Sequence, residues 1–134
     1  MKQKIIEKIY KNGQNLNISV LNLESNLLTA SISTLGATLT DLKFKNEKNS
    51  LILKYNNNND YFFDNHYIGC TIGRFANRLK GSNLILKKKN NFNNEDILLH
   101  SGKNGFNYKN WKILNFSSDF VFLGLLDEEK KNFL

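Results

Sequence analysis

Cysteine and proline are nearly missing from this sequence of 134 residues, which contains one cysteine and no proline. A lone cysteine excludes a disulfide within the chain and is typical of proteins in a reducing compartment, so we expect a cytoplasmic protein. Cys70 could act as a nucleophile, but it lies in an apolar segment with Ile68 and Ile72. We therefore interpret it as a small buried residue.

Long apolar runs are missing as well. No segment reaches the length that a helix needs to cross a bilayer. Residues 1–11 mix charges with short apolar pairs and contain no small-residue cleavage site, so we expect no signal peptide. These features lead us to expect no membrane partner.

Histidine is scarce, and the positive charge is scattered. The two histidines, His66 and His100, lie far apart and lack the ligand spacing of a metal site, so we predict no bound metal. The formal net charge is +7, but the lysines are dispersed apart from one short cluster at 87–89. A nucleic-acid surface would show a longer basic stripe with interleaved aromatic residues. We therefore expect no nucleic-acid partner.

Short apolar segments that alternate with polar residues make up most of the chain, which is the pattern of half-buried strands. Turn-forming residues such as Gly, Asn and Ser separate these segments. The alternating segments and short apolar runs fall at 16–20, 28–32, 42–44, 51–53, 84–86, 111–113 and 120–123. Short strands at this spacing predict an antiparallel all-β fold in one domain, residues 1–134. Residues 2–10 fit either a short helix or an edge strand.

The region from Gly69 to Gly105 combines glycines with side chains that bind polar ligands. Arg and Asn offer fixed hydrogen-bond donors, and His can exchange a proton near neutral pH. The polar residues are Arg74, Asn77, Arg78 and His100, and the glycines are Gly69, Gly73, Gly102 and Gly105. Such a set suits a polyhydroxylated small molecule better than it suits a protein core.

In order and spacing, the motifs of this chain resemble the N-terminal part of the aldose 1-epimerase family, also called galactose mutarotases. The resemblance runs from about Ser19 to about Trp111. Its pieces are Thr34-Leu-Gly-Ala-Thr, Asp60-Tyr61, Gly73-Arg-x-Ala-Asn-Arg78, Leu99-His-x-Gly102, Gly105-Phe106 and Trp111. One departure is Ser101, which stands where members usually have a second glycine.

The resemblance implies an antiparallel β-sandwich of the galactose mutarotase type, of which this chain would hold only the first part. The chain is less than half as long as a typical member, so we expect an incomplete, truncated domain. Strands that lack their usual neighbours would present unpaired edges and partly covered apolar faces.

The resemblance also implies an activity, the interconversion of the α and β anomers of an aldohexose such as galactose or glucose. A base removes the proton of the anomeric hydroxyl while an acid protonates the ring oxygen, and no metal or cofactor is needed. Asn77, Arg78 and His100 are the implied substrate-binding residues, and His100 is also the implied catalytic residue because it contacts the sugar near the ring oxygen.

Other polar and aromatic residues near these motifs have weaker claims to a role. Arg74 fits a role in the site or a structural role that bridges strands equally well. Trp111 alternates with Ile113, which favours core packing over stacking on a sugar. His66 lies in a polar segment, and we assign it no role.

The two principal acid–base groups have no counterpart in this sequence. The resemblance places an acid histidine and a base glutamate in the later part of the family's chain, and nothing after Trp111 matches them. Glu128 and Glu129 lie in a charged run that is typical of a solvated loop. Three hypotheses follow: an aldose 1-epimerase, a truncated and inactive carbohydrate-binding remnant, or a scaffold that meets another chain supplying the missing part.

Overall fold

The computed structural model describes residues 16–80 and 97–127. These residues form seven strands: β1 (Val20–Glu24), β2 (Leu28–Ser33), β3 (Thr38–Phe44), β4 (Arg78–Lys80), β5 (Ile97–Leu99), β6 (Lys112–Phe116) and β7 (Val121–Gly124). Short 3-10 helices span Asn58–Phe63, Gly102–Asn104 and Phe106–Tyr108. The predicted elements at 2–10 and 84–86, the lysine cluster at 87–89, and Glu128 and Glu129 lie outside the described residues.

All strand pairs are antiparallel, which confirms the predicted fold class. β1, β2 and β3 form a three-stranded sheet in that order, while β4 pairs with β5 and β6 pairs with β7. The turn between β1 and β2 is held by Ser25, whose Oγ accepts a hydrogen bond from the Leu28 N–H at 3.0 Å. Within the described residues, no helix is long and apolar enough to span a bilayer.

Two predicted strands are wrong. The alternation at 16–20 meets a strand only at its last residue, because β1 begins at Val20. Residues 51–53 form no strand; Leu51 and Leu53 are 52% and 77% exposed. The Leu51 N–H donates to the Leu42 carbonyl at 2.7 Å, which attaches the segment to β3 at a single point. A run of three apolar residues shows no period, so it cannot distinguish a buried strand from an exposed loop.

The core lies beside the three-stranded sheet and is built by residues from separate parts of the chain. Ile18, Leu35, Tyr61 and Phe62 are buried and pack together. The 3-10 helix at 58–63 supplies the two aromatic residues, Tyr61 and Phe62, which are its buried side chains. Asp64 closes this helix, and its Oδ1 accepts from the Tyr55 hydroxyl at 2.9 Å.

Backbone hydrogen bonds join the end of β2 to the segment before β6. The Trp111 N–H donates to the Thr34 carbonyl at 2.8 Å, and the Gly36 N–H donates to the Lys109 carbonyl at 2.8 Å. The Thr71 N–H in turn donates to the Gly36 carbonyl at 2.8 Å. The turn at 34–38 therefore forms hydrogen bonds both with the segment before the first polar motif, at Thr71, and with the segment at 109–111.

Candidate functional site

The two polar motifs meet where β4 and β5 pair. Arg78 lies opposite Leu99 in the register, and the pairing continues one step beyond the strands. There the His100 N–H donates to the Asn77 carbonyl at 3.0 Å, and the Asn77 N–H donates to His100 Nδ1 at 2.9 Å. Residues that are 23 positions apart in the chain are thus direct partners.

The contact with Asn77 assigns the proton on the His100 ring. A backbone N–H can only donate, so Nδ1 is the acceptor and the proton of the neutral imidazole is on Nε2. The Tyr67 ring packs edge-on against the imidazole, with 4.6 Å between ring centroids and 67° between ring planes. Two neighbours therefore orient the ring and leave Nε2–H as the donor for a ligand.

Arg78 is exposed and follows Asn77 directly. Within residues 16–80 and 97–127, no side chain forms a hydrogen bond or an ion pair with its guanidinium. Its donors face no competing protein group in that part of the chain. From the motifs we expect the Arg78 and His100 side chains to lie close together on one face of the sheet, and this stays a prediction.

Left-handed backbone conformations cluster at this site. Tyr67, Asn77, His100 and Ser101 have φ values of 59°, 66°, 50° and 66°. Such values are uncommon for residues with a Cβ, and they concentrate at functional sites, where the surrounding structure must hold them. Sequence reasoning missed the contact of Tyr67 with His100. Tyr67 belongs to the apolar segment around Cys70, and nothing in that pattern indicates a role in a site.

The loop from Gly105 to Trp111 packs against the first motif. The Phe106 N–H donates to the Gly73 carbonyl at 2.9 Å, and a Cβ at Gly73 would lie 2.2 Å from Phe106 Cδ2. The half-buried Trp111 ring packs edge-on against Phe106, and its Nε1–H donates to the Phe106 carbonyl at 3.2 Å. Trp111 therefore supports this loop from the side, in line with the packing interpretation.

Arg74 and His66 have structural contacts. The Arg74 guanidinium forms an ion pair with the Asp127 carboxylate, three residues after β7. This contact favours the structural interpretation of Arg74. His66 is exposed, and its backbone N–H donates to Asp64 Oδ1 at 2.8 Å.

Cys70 is a poor nucleophile in this fold. Its side chain is half-buried, so the prediction of a buried residue holds only in part. This partial burial, with a smaller contribution from the charge of Asp64, raises the pKa of the thiol from 9.0 to about 11. Because the thiolate is the reactive form, the side chain is inert near neutral pH.

In the described part of the chain, no group of three His, Cys, Asp or Glu side chains is placed to hold a metal ion.

Comparison with known proteins gives matches along most of the chain. A probable aldose 1-epimerase of Arthroderma benhamiae is 31% identical over 136 residues, covering 91% of this chain. An uncharacterised isomerase of Saccharomyces cerevisiae is 37% identical over 86 residues, covering 62% of this chain. This chain spans 31% and 25% of the lengths of those two relatives.

Solved structures show the same architecture. The GalM/aldose epimerase homologue of C. elegans superposes with a TM-score of 0.71 at 31% identity, covering 86% of this chain and 38% of its own. Galactose 1-epimerase of Lactobacillus acidophilus superposes with a TM-score of 0.63 at 25% identity, covering 84% of this chain and 33% of its own. The antiparallel fold is thus of the galactose mutarotase type, and this chain spans part of it.

The sequence profile of the family described as aldose 1-epimerase matches residues 19–133, which include every motif of the candidate site. The chain therefore belongs to the aldose 1-epimerase family.

Proposed function

We propose that this chain binds an aldohexose such as galactose or glucose through Asn77, Arg78 and His100, and that it forms the sugar-binding part of an aldose 1-epimerase. The observation that carries the proposal is the double hydrogen bond between Asn77 and His100, with Arg78 next in the chain. It brings the two family motifs into direct contact at the β4–β5 pair.

The proposed roles follow from the donors that remain available. His100 Nε2–H donates to the ring oxygen of the sugar, and the Arg78 guanidinium donates to two adjacent oxygens. When the C1–O5 bond breaks, the electron pair moves to the ring oxygen, and these two donors stabilise the developing charge there. Asn77 contributes its side-chain amide, which can donate to one hydroxyl and accept from another.

The full reaction needs a base for the proton of the anomeric hydroxyl and an acid for the ring oxygen. The resemblance places the principal acid and base later in the family's chain than Trp111. The described residues after Trp111 contain no histidine and no glutamate. We propose that a polypeptide segment carrying those two groups completes the site, and that the protein acts in the cytoplasm, as its single cysteine suggests.

Titration with galactose, followed by NMR of the labelled chain, tests sugar binding. A hydrogen bond to a charged group contributes about 1.5–3 kcal/mol, so Arg78→Ala should raise Kd about 10- to 150-fold. His100→Ala should also raise Kd. Lys112→Ala removes an exposed positive charge on β6 and should leave Kd unchanged. Equal affinities for the wild type and both site variants would contradict the proposal.

A further inference from the structure

We propose that Ser101 is a positioning residue of the sugar site: its buried hydroxyl joins the turn after His100 to the Gly73–Arg78 segment and thereby fixes the His100 ring. This inference rests on the proposed function of the site. It assigns a role to the position at which the chain departs from the usual glycine of the family.

The Ser101 hydroxyl is a cross-link between the two motifs. Ser101 is 1% exposed, and its Oγ accepts a hydrogen bond from the Phe75 N–H at 2.7 Å. The same hydroxyl donates to the Phe75 carbonyl at 3.3 Å. In an antiparallel ladder two opposite residues exchange both bonds through their backbones. Here the Ser101 hydroxyl makes both bonds with Phe75, as the backbone N–H and C=O of an opposite residue would in a ladder. The hydrogen bonds between the two segments thereby continue past Asn77 and His100.

The backbone conformation explains why a side chain is used at this point. His100 and Ser101 have φ values of 50° and 66°, so the chain has left the extended conformation in which strands pair. Glycine adopts such angles without strain, but it has no side chain to reach Phe75. Serine is strained there, and its two hydrogen bonds offset the strain.

Loss of the Ser101 hydroxyl should affect the His100 ring because the Phe75–Ser101 and Asn77–His100 hydrogen bonds join the same two segments. The imidazole Nδ1 depends on the Asn77 N–H, which is two residues from the Phe75 amide that Ser101 holds. Without the hydroxyl, the 75–77 segment can move relative to the turn, and the Asn77 N–H can move away from Nδ1. Ser101 therefore acts through Asn77 and His100, without touching the sugar.

The test compares the full chain with its Ser101→Gly and Ser101→Ala variants. Ser33→Ala is the matched control, because Ser33 is 4% exposed and its Oγ accepts from the Leu35 N–H at 3.2 Å, away from the site. The first readout is the pair of ¹⁵N chemical shifts of the His100 ring in sugar-free protein. They are recorded in one alkaline buffer that is the same for all four proteins.

The wild type and Ser33→Ala should show the tautomer with the proton on Nε2. Both Ser101 variants should shift towards a mixture of tautomers, because Nδ1 loses its fixed donor. The second readout is the Kd for galactose, which should rise about 2- to 10-fold in both Ser101 variants, the effect of one loosened neutral hydrogen bond.

Unchanged ring shifts in both Ser101 variants would overturn the inference, even if their melting temperatures fell, since Ser101 would then have a structural role only. If Ser101→Ala fails to fold, Ser101→Gly decides alone, because glycine fits the φ at this position. If the wild type binds no sugar, the proposed function of the site fails, but the ring shifts still decide the role of Ser101.

Discussion

The contacts of each motif residue determine which of its groups remain for a ligand. Arg74 forms an ion pair with Asp127, whereas Arg78 forms no ion pair with any of the described residues. His100 uses Nδ1 within the fold and keeps Nε2. The sequence showed both arginines in one motif. The resemblance implied a substrate-binding role for Arg78, but the sequence left Arg74 open between a site role and a structural one, because the Asp127 contact joins residues 53 positions apart.

Cys70 gives the first prediction at the residue scale. Because burial raises the pKa of its thiol to about 11, alkylation by iodoacetamide should be slow near neutral pH and should rise to half its maximum near pH 11. The protonated thiol stabilises the folded state fully below pH 9, and this contribution is lost as the pH rises from 9 to about 11. Mass spectrometry of the alkylated protein measures the rate.

Two controls accompany the alkylation experiment. Chain unfolded in urea should react with the ordinary thiol profile, half-maximal near pH 8.5–9. Cys70→Ser should take up no label. If folded wild type follows the same profile as the unfolded chain, the thiol is accessible and the assigned burial is wrong.

The strands differ in how far the sequence could predict them. β2 alternates clearly over 28–32, so the sequence predicts it well, but the alternation at 42–44 covers only the last three residues of β3. The buried positions at the start of β3 are the polar residues Thr38 and Thr40, which give no apolar pattern. β4 and β5 have three residues each, too few to show a period. Their pairing joins residues that are far apart in the sequence, and the same is true of the contact between Asn77 and His100. Only the motif resemblance placed those two residues in one site.

Gly73 gives a prediction at the element scale. A Cβ there would lie 2.2 Å from the Phe106 ring, which Trp111 holds in place. Gly73→Ala should therefore lower the free energy of unfolding by about 1–3 kcal/mol, the usual effect of overpacking. Urea denaturation followed by fluorescence measures the change.

Gly124→Ala is the matched control for Gly73→Ala. Its Cβ would lie 2.6 Å from Leu114 Cδ1, the end of a flexible side chain that is 68% exposed and free to move. The free energy of unfolding should change little. Equal destabilisation by the two substitutions would show that the Phe106 ring does not confine Gly73.

The molecule exposes apolar surface on the β6–β7 hairpin. Leu114, Phe122 and Leu126 are 68%, 60% and 72% exposed, and Phe120 packs on Phe122 with 5.2 Å between ring centroids. Such surface is a hazard for aggregation, as we expected for strands without their usual neighbours. We expect that an open sheet also admits water to the proposed sugar site, which would weaken charge interactions of Arg78 there.

The chain assayed alone should therefore have little or no mutarotase activity. General acid and base groups contribute about 10²- to 10⁴-fold each, and the sequence supplies no match to the family's principal pair. Polarimetry on freshly dissolved α-D-glucose or α-D-galactose measures the approach to equilibrium. A full-length family member is the positive control, and His100→Ala of this chain shows the background. A rate near that of the full-length protein would mean that these 134 residues contain an unrecognised catalytic pair.

The hydrogen bonds between the two ends of the described chain also set an order of events during synthesis. The Asn17 carbonyl accepts from the Asn110 side chain, 93 residues later, and the Thr34 carbonyl accepts from the Trp111 N–H. At about 5–20 residues per second, a ribosome takes roughly 5–20 s to make the intervening stretch. The first sheet is complete once Phe44 has been made, so it lacks this closing partner while residues 45–110 are made, about 3–13 s at the same rate. The Asn17 and Thr34 carbonyls therefore lack these partners in the nascent chain until the segment around Trp111 has been made.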